Sequence, residues 1–264
     1  MPEVADWELF AGLMSAVVAL ITWAPWYGDI FGVNRLAAPR SYRLVLGLAP
    51  LACLLFLLLC LERSAAKAVR ESGLYILIYM GMGAAAIGVS GRLFSFLGVS
   101  ARDDVLERRN NAGLIAVVGA LLGVSLCFAG GNIGEGPGVE VVIVSAGTAL
   151  CAWFDLWYLV DVLSGRVVSE RITVERDTGS GLRLAGLLAG NGVILGAAVA
   201  GAWIPDRFLH DFVVSAWPAL VLTVVAVLVE RSSQSRSSIV RSVFTVTGYL
   251  LVAVVWALHR GIGA

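Results

Sequence analysis

Apolar residues in this chain gather in long unbroken runs separated by short polar stretches, and they do not alternate. Eight runs reach or approach the roughly 20 residues that a helix needs to cross a hydrocarbon layer about 30 Å thick. They cover residues 9–27, 44–61, 73–97, 112–133, 139–163, 184–204, 212–229 and 243–258. The last run is short, so a seven-helix count competes with eight. Continuous runs argue for helices and against a β-barrel, because in lipid each backbone N–H and C=O must be satisfied within its own segment. Pro25, Pro50 and Pro218 fall inside runs, where membrane helices tolerate them. The predicted fold is all-α: a polytopic membrane helix bundle.

Composition strengthens that reading. Of 264 residues, 59% are hydrophobic and 14% charged, with mean hydropathy +0.87. A soluble domain carries about 25% charged residues. Little chain is left for a soluble domain. A net charge of zero gives no global field for nucleic acid. Cys53, Cys60, Cys127 and Cys151 all lie in apolar runs, where cysteine behaves as a small hydrophobe, not as part of a disulfide or zinc framework. No HExxH, paired-histidine or nucleophile-elbow pattern is present, so no cofactor, metal or catalytic residue is assigned. The acidic N-terminus lacks the positive region of a secretory signal, which predicts that the first helix is retained.

Basic residues set an expected orientation. Thirteen lie in the linkers after runs one, three, five and seven, among them Arg35, Arg102, Arg108, Arg109, Arg176 and Arg231, and five lie on the other side. This places those linkers in the cytoplasm and both termini outside, in a bacterial plasma membrane. The linker 62–71, with Arg63, Lys67 and Arg70, is the misfit. If it is cytoplasmic, a flanking helix is miscounted.

Two segments echo one another. Arg109-Asn110-Asn111-Ala112-Gly113-Leu114 leads into Gly119–Gly123, and Thr178-Gly179-Ser180-Gly181-Leu182 leads into Gly186–Asn191. They lie about 68 residues apart and predict a parallel two-helix repeat, runs three and four recurring as five and six. The turn Ser100-Ala101-Arg102-Asp103-Asp104 and the block Asn110-Asn111-Ala112-Gly113 make residues 73–203 resemble the YjfL-type family of small bacterial inner-membrane proteins, a domain of unknown function. The family's Thr-Pro is absent, and the fourth-helix copy has Gly179-Ser180 in place of Asn. The resemblance implies a four-helix unit over 73–205, flanked by helical hairpins at 1–72 and 206–264. It also implies a setting near envelope-stress coat proteins and peptide- or polyamine-modifying enzymes, with no established activity.

Ionisable groups at membrane depth are costly and mark candidate sites. Arg92 and Asp155 lie at similar predicted depth and are candidates for a buried pair, either a structural clasp or a gate, with snorkelling of Arg92 as the third reading. Trp153 and Trp157 flank Asp155 and read as its packing shelter. Asn191, between two glycines, reads as interhelical glue or as a pathway-lining group. The linker residues Asp103, Asp104, Arg108, Arg109, Asn110 and Asn111 are candidate contacts for a cytoplasmic protein. The linker 164–183 reads as a solvated loop or short amphipathic stretch, with partner docking as the sharper reading. Three roles stay open: a membrane partner or scaffold, a channel or small-solute transporter, and an intramembrane enzyme. The partners expected are the lipid bilayer, a cytoplasmic protein and further copies of the chain, with no nucleic acid.

Overall fold

A computed structural model describes residues 4–32, 38–134, 138–201, 203–233 and 238–261. The long helices are α1 (Asp6–Phe31), α2 (Arg40–Ser64), α4 (Gly73–Leu93), α5 (Asn111–Gly130), α6 (Val139–Leu163), α8 (Thr178–Val199), α9 (Pro205–Ser232) and α10 (Ile239–His259). Short elements lie between them: α3 (Lys67–Arg70), a π-helical segment (Ala101–Glu107) and α7 (Val167–Thr173). Among the described residues eight helices are long and apolar enough to cross a membrane, in line with eight and not seven. The chain is an all-α helix bundle of multi-pass membrane type.

The bundle is turned out toward an apolar surrounding. Exposed side chains include Leu20, Leu77, Phe96, Phe244 and Leu258. Outward hydroxyls do not wait for water: Thr22, Thr148, Thr245 and Thr247 each donate to the carbonyl four residues earlier, at 2.7–3.0 Å. That habit suits a side chain facing hydrocarbon.

The helices alternate between two ends. The connections 94–110 and 164–177 lie at one end, called here the basic end. The start of α1 at Asp6 and the end of α10 at His259 lie at the other. The linker 62–71 lies at the far end, where Ala65 bridges to Gly134, and its Lys67 and Glu71 are 3.8 Å apart.

Glycine decides which helices touch. A Cβ on Gly123 would lie 2.6 Å from the Leu188 carbonyl oxygen, and one on Gly192 2.7 Å from that of Gly123. Gly181 meets Ala112, Gly119 meets Ala185 and Gly130 meets Gly196 with equally little room. The partner numbers rise together along this seam, so α5 and α8 run parallel, backbone against backbone. They are also the most buried of the long helices. The same device sets α1 beside α4, through Gly12 on Ile78 and Gly88 on Trp23, and α8 beside α10, through Gly186 on Val246. The terminal pairs touch, Trp26 and Tyr27 of α1 donating to the Leu46 and Gly47 carbonyls of α2 and Trp256 of α10 to that of Ser215 on α9, but each also packs on the central helices. α1 lies along α4, and α9 and α10 both lean on α8.

Candidate functional site

The predicted repeat has an internal register of 67 residues. Arg109 and Arg176 both take a left-handed backbone, with φ 53° and 57°. The next residue caps a glycine-rich helix in each copy: Asn110 Oδ1 accepts from the Gly113 N–H, and the Asp177 carboxylate accepts from the N–H groups of Gly179 and Ser180. The cap residue's own N–H closes the preceding turn, Asn110 onto the Asp104 carbonyl at 3.1 Å and Asp177 onto that of Arg171 at 2.8 Å. Short helix, left-handed arginine, polar cap and membrane helix therefore recur as one unit.

Each short element is seated on the bundle by an apolar face, Val105 and Leu106 in the first copy and Val168 and Ile172 in the second. The copies are also tied together, because the Asn110 side-chain amide donates to the Ile172 carbonyl at 2.6 Å. The stretch 164–183 is accordingly the short amphipathic stretch and not the solvated loop. It folds as α7 plus the first turns of α8, which starts at Thr178 where the hydropathy run suggests 184.

Around the second copy lies a buried ionic cluster. Arg183 grips Glu230 of α9 with two donors, Nε to Oε1 at 2.5 Å and Nη2 to Oε2 at 2.9 Å. Its remaining donors reach Ser180 Oγ (2.8 Å) and Ser242 Oγ of α10 (2.7 Å). Arg171 Nη1 adds a bond to Glu230 Oε2 at 3.1 Å and one to the Glu230 carbonyl at 2.8 Å, and Asp177 lies 4.0 Å from Arg183. Two guanidiniums thus face two carboxylates, and all four residues are buried. The cluster joins α7, α8, α9 and α10. In the first copy the matching positions hold Asp104 for Arg171 and Ala116 for Arg183, so only one copy carries the clasp.

Sequence reasoning missed this cluster. Arg183 reads as a linker cation and Glu230 falls one residue beyond an apolar run. The Asp177-Thr178-Gly179-Ser180 stretch is an N-cap signature that would have moved the helix start and put Arg183 inside it. Glu8 was missed as well. It is buried at the far end, where it accepts from Tyr75 Oη (2.8 Å) and the Val139 N–H (3.3 Å).

The predicted Arg92–Asp155 pair is not formed. Both side chains are exposed, and no ion pair joins them among the described residues. Arg92 sits at the end of α4 and lines a cleft at the basic end. Asp155 points out from α6. Trp153 and Trp157 point inward and are fully buried, stacking with Phe94, so they do not shelter the carboxylate. Trp153 Nε1 donates to the Leu188 carbonyl at 2.8 Å, a tie from α6 to α8. Asn191 is buried and donates to Thr223 Oγ1 of α9 at 3.0 Å, while its Oδ1 has no partner.

The six predicted contact residues divide by burial. Asp103, Arg108, Arg109 and Asn111 are exposed at the basic end, whereas Asp104 and Asn110 are buried as structural groups and cannot be contacts. Asp104 receives the Ser100 N–H at 2.8 Å and Arg108 at 3.2 Å. Burial nonetheless holds its carboxyl above the usual range, the Ser100 and Arg108 contacts offsetting only part of that.

Cavities lie at both ends and along one flank, where an apolar groove of about 790 Å³ runs between α9 and α10, lined by Trp217, Leu222, Phe244 and Trp256. The basic-end cleft holds about 250 Å³, and a far-end hollow of about 50 Å³ is lined by Tyr79, Asn132 and Ser145. Asp155 lines none of the three. Among the described residues, no group of His, Cys, Asp and Glu could hold a metal ion. No known protein family, curated protein or solved structure matches the chain.

Proposed function

We propose that the chain is a membrane-embedded scaffold of the bacterial plasma membrane, its basic end in the cytoplasm, where it offers a rigid ledge to a cytoplasmic protein. One observation carries this reading: two of the four basic linkers, 94–110 and 164–177, are clamped short helices, not loops. Their inner faces are packed and their outer faces carry charge, with Arg102, Asp103, Arg108 and Arg109 on one copy and Glu170, Glu175 and Arg176 on the other. A preformed surface loses little conformational freedom when a partner docks. Kinship with the YjfL-type proteins belongs to the same proposal and rests on the Ser100–Asp104 turn and the Asn110 cap.

The test places a photoreactive residue at Asp103, Arg109 or Glu175, with lipid-facing Phe244 as control. The scaffold reading expects discrete protein adducts from the ledge and none from Phe244. Replacing 166–176 with Gly-Ser removes the adducts. A ledge that gives no adduct, in a protein that passes solute through proteoliposomes, contradicts it.

A second reading, a small-solute conduit, draws on the parallel repeat and on the ionic cluster lying where a gate would be. The glycine seam weighs against it, since α5 and α8 leave no gap at the centre. An intramembrane enzyme built on Asp155 has no support, because that carboxylate is exposed and lines none of the cavities described above.

A further inference from the structure

The basic-end cleft lies between α1, α2, α4 and the π-helical segment, and is lined by Trp26, Asp29, Arg92, Ser95, Arg102 and Asp103. Its volume, about 250 Å³, lies just below the roughly 300 Å³ at which ordinary ligand pockets begin. α1 ends at Phe31 and α4 at Leu93, so the cleft sits where hydrocarbon gives way to headgroups. Beside Arg92, Leu93 and Phe96 turn outward as an apolar rim.

The charges in the cleft are unevenly satisfied. Arg102 Nε is 3.2 Å from Glu107 and 4.0 Å from Asp29. Asp103 accepts from Ser100 Oγ at 3.0 Å. The Arg92 guanidinium has no hydrogen bond or ion pair among the described residues, and it calls for an anion with several acceptor oxygens. Yet Asp29 and Asp103 share the cleft and oppose a ligand that is only negative. A primary ammonium, with three donors, answers both carboxylates, and a choline group has none to give. Phosphate and primary ammonium a few bonds apart describe one common interfacial chemistry.

We infer that this cleft binds the phosphoethanolamine headgroup of a membrane lipid, its phosphate at Arg92 and Ser95 and its ammonium between Asp29 and Asp103. The acyl chains leave over Leu93 and Phe96. The inference needs the bilayer but not the partner ledge.

The test uses the full-length protein in nanodiscs of equal parts phosphatidylethanolamine, phosphatidylcholine and phosphatidylglycerol. Retained lipids are counted by native mass spectrometry, and thermal unfolding confirms that each variant folds. Phosphatidylethanolamine should be retained about ten-fold over either other lipid. Arg92→Gln should remove that preference, Arg92→Lys should keep most of it, and Asp29→Asn should shift it toward phosphatidylglycerol. Equal retention of the three lipids, or an unchanged preference in Arg92→Gln, overturns the inference. Complete displacement by soluble phosphoethanolamine or inorganic phosphate overturns the lipid assignment and makes the site one for a free solute.

Discussion

Arg183 and Asp155 carry opposite lessons about charge in a membrane protein. Arg183 is 2% exposed, and each of its three nitrogens donates, to Glu230, Ser180 or Ser242. Removing one member of such a pair strands the other, which typically costs about 3–5 kcal/mol. Arg183→Gln and Glu230→Gln should each lower stability by about that amount. A double-mutant cycle in bicelles should show the two losses to be far from additive, since they share one interaction. Asp155 has no ion pair or hydrogen bond among the described residues and faces outward on the apolar helix α6. Asp155→Leu should therefore raise stability, by up to about 3 kcal/mol. A loss of stability instead would show that another chain supplies a contact there. Asp104 gives a pH signature. Its carboxyl is held above the ordinary 3.8 by burial, so the folded state favours the protonated form. Its contribution is full below that value and is lost as pH rises through the raised one. Thermal unfolding across that window should show wild type losing stability relative to Asp104→Asn, which keeps the acceptor for the Ser100 N–H.

At the scale of elements, glycine separates packed faces from open ones. Gly123 lies on the α5–α8 seam, and Gly147 on α6 has nothing within 4 Å of a Cβ. Gly123→Val should destabilise by about 3 kcal/mol, the upper end of ordinary overpacking. Gly147→Ala should be neutral or gain up to about 1 kcal/mol from helix propensity. Chemical denaturation in lipid distinguishes the two. The existence of all eight long helices was legible in the apolar runs, because the bilayer demands continuous apolar segments. The repeat was legible as well, through Asn110 and the glycines after Thr178. Partners were not. Hydropathy sets depth but not rotation about the helix axis, so Arg92 and Asp155 matched in depth while facing apart. The start of α8 was misplaced because Thr178–Arg183 is polar as well as helical. The cluster that those residues build around Glu230 stayed hidden for the same reason.

On the scale of the whole molecule, two copies of a short helix and a glycine-rich helix meet at the centre, and the remaining spans enclose them. Close backbone contact along α5 and α8 fills the space that a conduit between them would need. The charged groups gather at the basic end, where the two short helices are fixed. A scaffold can work with such a closed centre, whereas a transporter has to open it. Cys127 reports on this point, being fully buried with Sγ 4.0 Å from the Gly192 carbonyl oxygen on the seam. The measurement uses a variant in which Cys53, Cys60 and Cys151 are replaced by alanine, reconstituted in sealed vesicles. Cys127 is then offered a small, charged, water-soluble thiol reagent from each side in turn. A closed centre predicts no modification from either side until the protein is unfolded. Rapid modification of the folded protein from either side would place water at the α5–α8 seam and contradict the account.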